Sequence, residues 1–167
     1  MFREIDASGI EENAVKLISK DWMLITAGDQ SGYNTMTASW GMIGELWGKD
    51  AVTCFIRPQR HTMSFIEENE TFSLSFLKDS HRDILNFCGT HSGRDCDKAA
   101  ETGLVPVFSD GTTYFEQAKL VIICKKMAVS EITPDSFLDS EIDEKFYPDK
   151  DYHKVFVASI EKVLVND

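Results

Sequence analysis

The chain of 167 residues carries 28 acidic against 17 basic side chains, a formal net charge of −11, with 43% hydrophobic and 27% charged residues. That balance suits a folded protein rather than a disordered one, and the length suits one domain over residues 1–167 with room for a substantial core. The charge argues against general affinity for nucleic acid or an anionic membrane, and no apolar run approaches the ~20 residues that span a bilayer. An anionic ligand would therefore need a local basic pocket that opposes the overall field, which makes the few clustered arginines informative.

Cysteines stand at 54, 88, 96 and 124 without a CxxC pair, so structural zinc is not expected. The opening stretch MFREIDASGIEENAVKLISKDW is charged throughout and lacks an apolar signal segment. Reduced thiols in a cytoplasm are the expectation.

In chain order, residues 10–19 (IEENAVKLIS) place Ile10, Ala14, Leu17 and Ile18 at helical spacing, with Ser8 as the expected cap. WMLITAGD then reads as a strand, QSGYN as a turn and NTMTASW as a second strand of a hairpin. GMIGELWG reads as a glycine-bearing loop, lacking the spacing of either phosphate-binding glycine motif. AVTCFIRP is a third strand stopped by Pro58, HTMSFIEENE a helix, and TFSLSFL a strand alternating Phe72, Leu74 and Phe76 against hydroxyls. Helical patterns return at SHRDILNFCG and DKAAETG. AKLVIICKKMAVSEI and HKVFVASIEKVLV are long strands, separated by a looser stretch at 133–152. About six strands with inserted helices, and no regular strand–helix alternation, predict a mainly β protein built on an antiparallel barrel.

Three short stretches could carry chemistry. In NTMTASW, Thr35, Thr37 and Ser39 share one face, and Trp40 bounds a cleft where hydroxyls and backbone could meet a planar polar ligand. The same composition also fits an edge strand with a wet hydroxyl face. In RPQRHT, a strand ends at Arg57, turns at Pro58 and enters a helix near His61 and Thr62. With the Arg60 fork, that arrangement matches a phosphate. It equally fits a helix capped by Thr62 beside two arginines that pair with surface acids.

In SGRDCDK, Ser92, Gly93, Arg94 and Lys98 could reach the same anion, or Asp95 or Asp97 could simply cap a helix. The four histidines are scattered without the paired spacing of a metal helix, so no metal ligand set is expected. Cys54 and Cys124 lie inside apolar strands and read as packing residues.

Taken in order and with their spacing, NTMTASW, RPQRHT, SGRDCDK, a cysteine-containing strand and the terminal DYHKVFVASIEKV resemble the flavin reductase-like, FMN-binding split-barrel family, particularly its flavoredoxin-like branch. The resemblance covers roughly residues 10–165. It implies a six-stranded antiparallel split β-barrel that forms a homodimer, with FMN, or FAD in its place, in a groove near the interface. By the same resemblance Thr35, Met36, Thr37, Ala38, Ser39 and Trp40 run along the flavin. Arg57, Pro58, Arg60, His61 and Thr62 hold the phosphate, and Ser92, Gly93 and Lys98 close on it. His153 matches a histidine near the reactive face of the ring, as nicotinamide-positioning group or proton relay. The implied activity is hydride transfer from NAD(P)H to flavin and onward to an acceptor, with a flavoredoxin-like carrier reduced by a partner protein as the alternative.

Overall fold

The computed structural model describes residues 1–166. All six expected long strands are present: β2 (Met23–Asp29), β3 (Gly32–Ala38), β5 (Lys49–Ile56), β6 (Thr71–Leu77), β9 (Ala118–Glu131) and β10 (Lys154–Val165). They form one antiparallel sheet in the order β3-β2-β6-β9-β10-β5, extended by β4 (Gly41–Leu46) beside β5 and by β1 (Arg3–Ile5), which pairs with β10. A separate hairpin joins β7 (Pro106–Ser109) to β8 (Thr112–Phe115). Among the described residues no ladder closes β3 onto β4, so the curled sheet is a barrel left split at those two strands. The mainly β class with inserted helices is as expected from the sequence.

The long strands owe their near-continuous apolar runs to burial on both faces. On the inner face, Ile25, Ile56, Phe72, Leu74, Phe76, Leu120, Ile122 and Phe156 build one core. On the outer face, Leu24, Leu77, Val121 and Ile123 pack with Ile84 and Leu85 of helix α3 (Arg82–Thr90) and with Phe115 of β8. The hydroxyls that alternate in β6 are therefore covered rather than wet: Ser73 is buried and donates to Thr113 O at 2.6 Å, beneath the β7–β8 hairpin.

Three local expectations change. The first helix, α1, starts at Ala14 after the cap Asn13, not at Ser8, and widens from Leu17 to Asp21 into a π-helical turn. Asp6 caps a separate 3-10 turn over Ala7–Gly9. GMIGELWG is not a loop but strand β4, hairpinned to β5 through Trp47 and Gly48, both at positive φ (57° and 72°). Such a two-residue turn matches the twist of its strands, and its glycine is a turn residue rather than a sign of irregular chain. The stretch 133–152 contains helix α5 (Ser140–Phe146), capped by Asp139 through Glu141 N. The remaining helices are α2 (Thr62–Glu68) and α4 (Lys98–Thr102). No helix of the described residues is long and apolar enough to cross a membrane.

Candidate functional site

Strand β3 lies at the end of the sheet order, so one of its edges has no strand partner and its backbone groups stay available. Against that edge lies a pocket of about 190 Å³, lined by Met36, Thr37, Ala38, Ser39, Trp40, Phe55, Arg57, Arg60 and His153. Residues from three distant stretches thus meet, because β5 ends at the Arg57–Pro58 turn beside the start of β10. The hydroxyls of β3 do not all serve the pocket. Thr35 Oγ1 is 2.8 Å from Thr26 Oγ1 inside the protein, and Thr37 Oγ1 donates to Leu85 O at 2.6 Å. Of the face expected to be either wet or ligand-bearing, Thr35 is buried against β2 and Thr37 lies against α3, whereas Ser39 is half-buried and lines the pocket. What β3 offers the pocket is chiefly backbone, with Ser39 and Trp40 at the corner leading to β4.

The two arginines of RPQRHT part company. Arg57 pairs with Asp151 at 2.6 Å, without the alignment of a hydrogen bond, donates to Phe146 O at 2.9 Å, and lies over the Tyr147 ring at 5.1 Å. Arg60 donates Nη1 to Gly89 O at 3.0 Å, while its Nη2 is buried without any partner. No carboxylate among the described residues lies within ion-pair distance of Arg60, Arg94 or Lys98. Burial lowers the pKa of Arg60, and burial with the charges of Arg94 and Lys98 lowers that of His61. An unspent buried guanidinium nitrogen with no carboxylate within ion-pair distance is what an anion would complete.

The third stretch closes against the second from outside. Gly93 packs so tightly that an added Cβ would fall 1.9 Å from Asn34 Oδ1 and 3.1 Å from His61 Cδ2. Asn34 Nδ2 donates to Thr62 Oγ1 at 2.8 Å, so Thr62, buried at the first turn of α2, acts as an acceptor rather than as a helix cap. Ser92 Oγ accepts from Arg94 N. Lys98 is buried and donates Nζ to Thr35 O and Cys88 O, both at 2.8 Å; burial brings its pKa down to about 8. Gly93, Lys98 and Thr35 line a second polar pocket, on the far side of β3 from Trp40, whereas Pro58, His61, Thr62 and Ser92 line neither.

Whereas Arg60 meets α3 through Gly89 O, His153, 6% exposed, meets the C-terminal end of α5, and Trp40 and Phe55 wall it at ring distances of 5.1 and 6.5 Å. Burial, with help from Arg57, lowers its pKa to about 4. Its Nδ1 is 2.7 Å from the hydroxyl of Tyr147, a residue to which no sequence pattern pointed. Beyond Trp40 and Phe55 the pocket opens into an apolar groove of about 800 Å³ under α5, lined among others by Val15, Met42, Ile142, Phe146 and Tyr147. All four cysteines are free; Cys54 and Cys124 are fully buried, as packing residues should be.

No curated protein matches the chain. Solved structures do. An FMN-binding domain of a flavin reductases-like enzyme from Shewanella baltica superposes with a TM-score of 0.71 at 16% identity, over 99% of this chain and 77% of that one. Flavoredoxin of Desulfovibrio vulgaris gives 0.69 at 20%, over 98% and 78%. An NADH:FAD oxidoreductase from Streptomyces globisporus gives 0.67 at 15%, over 87% and 75%. At these identities the likeness concerns the fold. The sequence itself matches the flavin reductase like domain over residues 15–167, and with that match across nearly its whole length the chain belongs to the flavin reductase-like, FMN-binding split-barrel family.

Proposed function

We propose that the chain is an FMN-dependent oxidoreductase that accepts hydride from NADH or NADPH and passes the electrons to an acceptor. The observation that carries the reading is the pocket along the free edge of β3, with an unpartnered buried Arg60 nitrogen at one end and a neutral, aromatic-walled His153 at the other. A phosphate tail and a planar ring of low charge need those two environments in that order. Flavin supplies the two-electron redox chemistry when bound. Arg60 takes the phosphate, within a turn shaped by Pro58, His61, Thr62, Ser92 and Gly93 and braced by Lys98. The backbone from Thr35 to Trp40 meets the polar edge of the ring, and Arg57 lines the same pocket with its charge already balanced by Asp151.

The apolar groove beside the pocket supports a homodimer, because Val15 (75% exposed) and Met42 (63%) would otherwise stand in water. Free thiols support a reducing, cytoplasmic setting. The test is anaerobic: load the protein with FMN, add NADH or NADPH, and follow the flavin band. Rapid bleaching is expected. Bleaching only with a reduced protein donor would make the chain a flavoredoxin-like carrier, and failure to quench flavin fluorescence at micromolar concentrations would remove the reading altogether.

A further inference from the structure

The hydrogen bond between Tyr147 and His153 bears on which proton the pocket sees. Tyr147 is 3% exposed and sits at the C-terminal cap of α5, its hydroxyl 2.7 Å from Nδ1 of His153. No other group among the described residues bonds to that hydroxyl or to the second ring nitrogen, Nε2. If Nδ1 carried the proton, it would donate to the phenol oxygen and leave the buried phenolic O–H without an acceptor, which is unfavourable. If the phenol donates, both its own hydrogen and the Nδ1 lone pair are satisfied. The proton of the neutral imidazole then belongs on Nε2. Tyr147 borders the apolar groove and not the polar pocket, so the Nδ1 edge is turned aside and Nε2–H is the polar group His153 has left for the pocket.

The support around Tyr147 is just as specific. Arg57 covers its ring at 5.1 Å, donates to the carbonyl of Phe146 just before it, and is paired with Asp151, which also accepts from Gln59 Nε2 at 2.6 Å. These are the charged groups beside the pair: one cation and one anion that balance. Burial raises the pKa of Tyr147, keeping the phenol protonated and a donor.

We infer that Tyr147 is a positioning residue for the proposed reaction: by donating to Nδ1 it fixes His153 as the Nε2–H tautomer, so that the pocket is presented with a neutral hydrogen-bond donor rather than an acceptor. A donor there would hold an oxygen, such as the carboxamide oxygen of a nicotinamide or the carbonyl of an acceptor, over the flavin. An acceptor would repel it. The inference rests on the proposed function for its role in reaction, but the tautomer itself does not.

The experiment separates the two. Nitrogen-15 labelling of histidine in the flavin-free protein, read by long-range proton–nitrogen correlation and assigned against His153→Gln, reports which ring nitrogen is protonated. The expected signal is Nε2–H with a bare, hydrogen-bonded Nδ1. A wild-type signal for Nδ1–H would overturn the inference without any variant being made. Tyr147→Phe should convert the signal to a mixture of tautomers and slow flavin reduction by NADH or NADPH roughly tenfold, with the FMN dissociation constant within about threefold of wild type. A Phe variant that keeps the pure Nε2–H signal and the wild-type rate would remove Tyr147 from the role. Should the wild type bind no FMN, or bleach with neither nicotinamide, the proposed function fails while the labelled histidine still decides the tautomer.

Discussion

The two ends of the β3 pocket treat charge in opposite ways. At the Arg60 end, Arg60 has no carboxylate within ion-pair distance, and Arg94 and Lys98 of the neighbouring polar pocket also lack one although Asp95 and Asp97 line that pocket with them, in a chain whose net charge is −11. At the His153 end every charge is answered: Arg57 meets Asp151, and the imidazole is held neutral. Among the five arginines only Arg57 is ion-paired, so what singles out Arg60 is its buried Nη2 without a hydrogen-bond partner, the feature on which the proposed phosphate contact rests. The difference teaches that two arginines three residues apart do unlike work. One is left incomplete and the other serves as a clamp for α5.

The sharpest test of that contrast is Arg60→Met, which keeps the apolar stem and removes the fork. FMN affinity should fall by about 2 kcal/mol, roughly thirtyfold, the scale of a lost charge-assisted contact to a phosphate. The flavin-free protein should hardly notice. It loses the bond to Gly89 O but also sheds a buried, unpartnered nitrogen, so its melting temperature should stay within about 3 °C. Fluorescence titration with FMN and a thermal melt of the flavin-free protein check the two halves. An unchanged dissociation constant would erase the distinction between the two ends.

The fold was legible because period-two alternation and β-branched runs mark the six long strands, and those strands carry most of the core. The β4 strand was hidden by Gly41, Gly44 and Gly48, which look like loop punctuation although only Gly48 occupies a turn. In the site, the types of residue were readable and their allegiances were not. Nothing local says that Arg57 finds Asp151, 94 residues on, or that Thr37 gives its hydroxyl to Leu85 O, 48 residues on. Tyr147 lay in a segment that looked irregular, its polar handle indistinguishable from those of its neighbours until α5 turned it onto His153. Long-range pairing decides which polar groups remain for a ligand, and a linear pattern does not carry it.

A pH titration of stability probes the neutral end. The folded pKa of His153, about 4, lies below the ordinary value near 6.5, so between those values the unfolded chain binds more protons than the folded one. Stability should therefore fall as pH drops from about 7 toward 4, with no further loss from this group below its folded pKa. The pocket is open to solvent, which limits the loss to about 1–2 kcal/mol. Aspartates paired in the fold, Asp21 and Asp110 among them, lose their contribution at lower pH, so the difference between wild type and His153→Gln over pH 7 to 5 isolates the histidine. Urea melts across that range should show a slope in the wild type that the Gln variant lacks. Equal slopes would mean that His153 takes up a proton in the fold as readily as in the unfolded chain, so that its end of the pocket becomes cationic below about pH 6.5.

The smallest effect is expected from Asp151→Ala, which unpairs Arg57 without touching Arg60. The pair is partly exposed, with side chains 27% and 19% accessible, so its loss together with the Gln59 bond should cost about 1 kcal/mol of stability. FMN affinity should stay within about twofold of wild type, because the Arg60 end is untouched. A freed Arg57 also ceases to be held against Phe146 O and the Tyr147 ring, so flavin reduction should slow more than binding weakens. If FMN affinity instead drops as far as in Arg60→Met, the Arg57 turn is part of the phosphate site, and the two arginines act together at one end rather than separately at two.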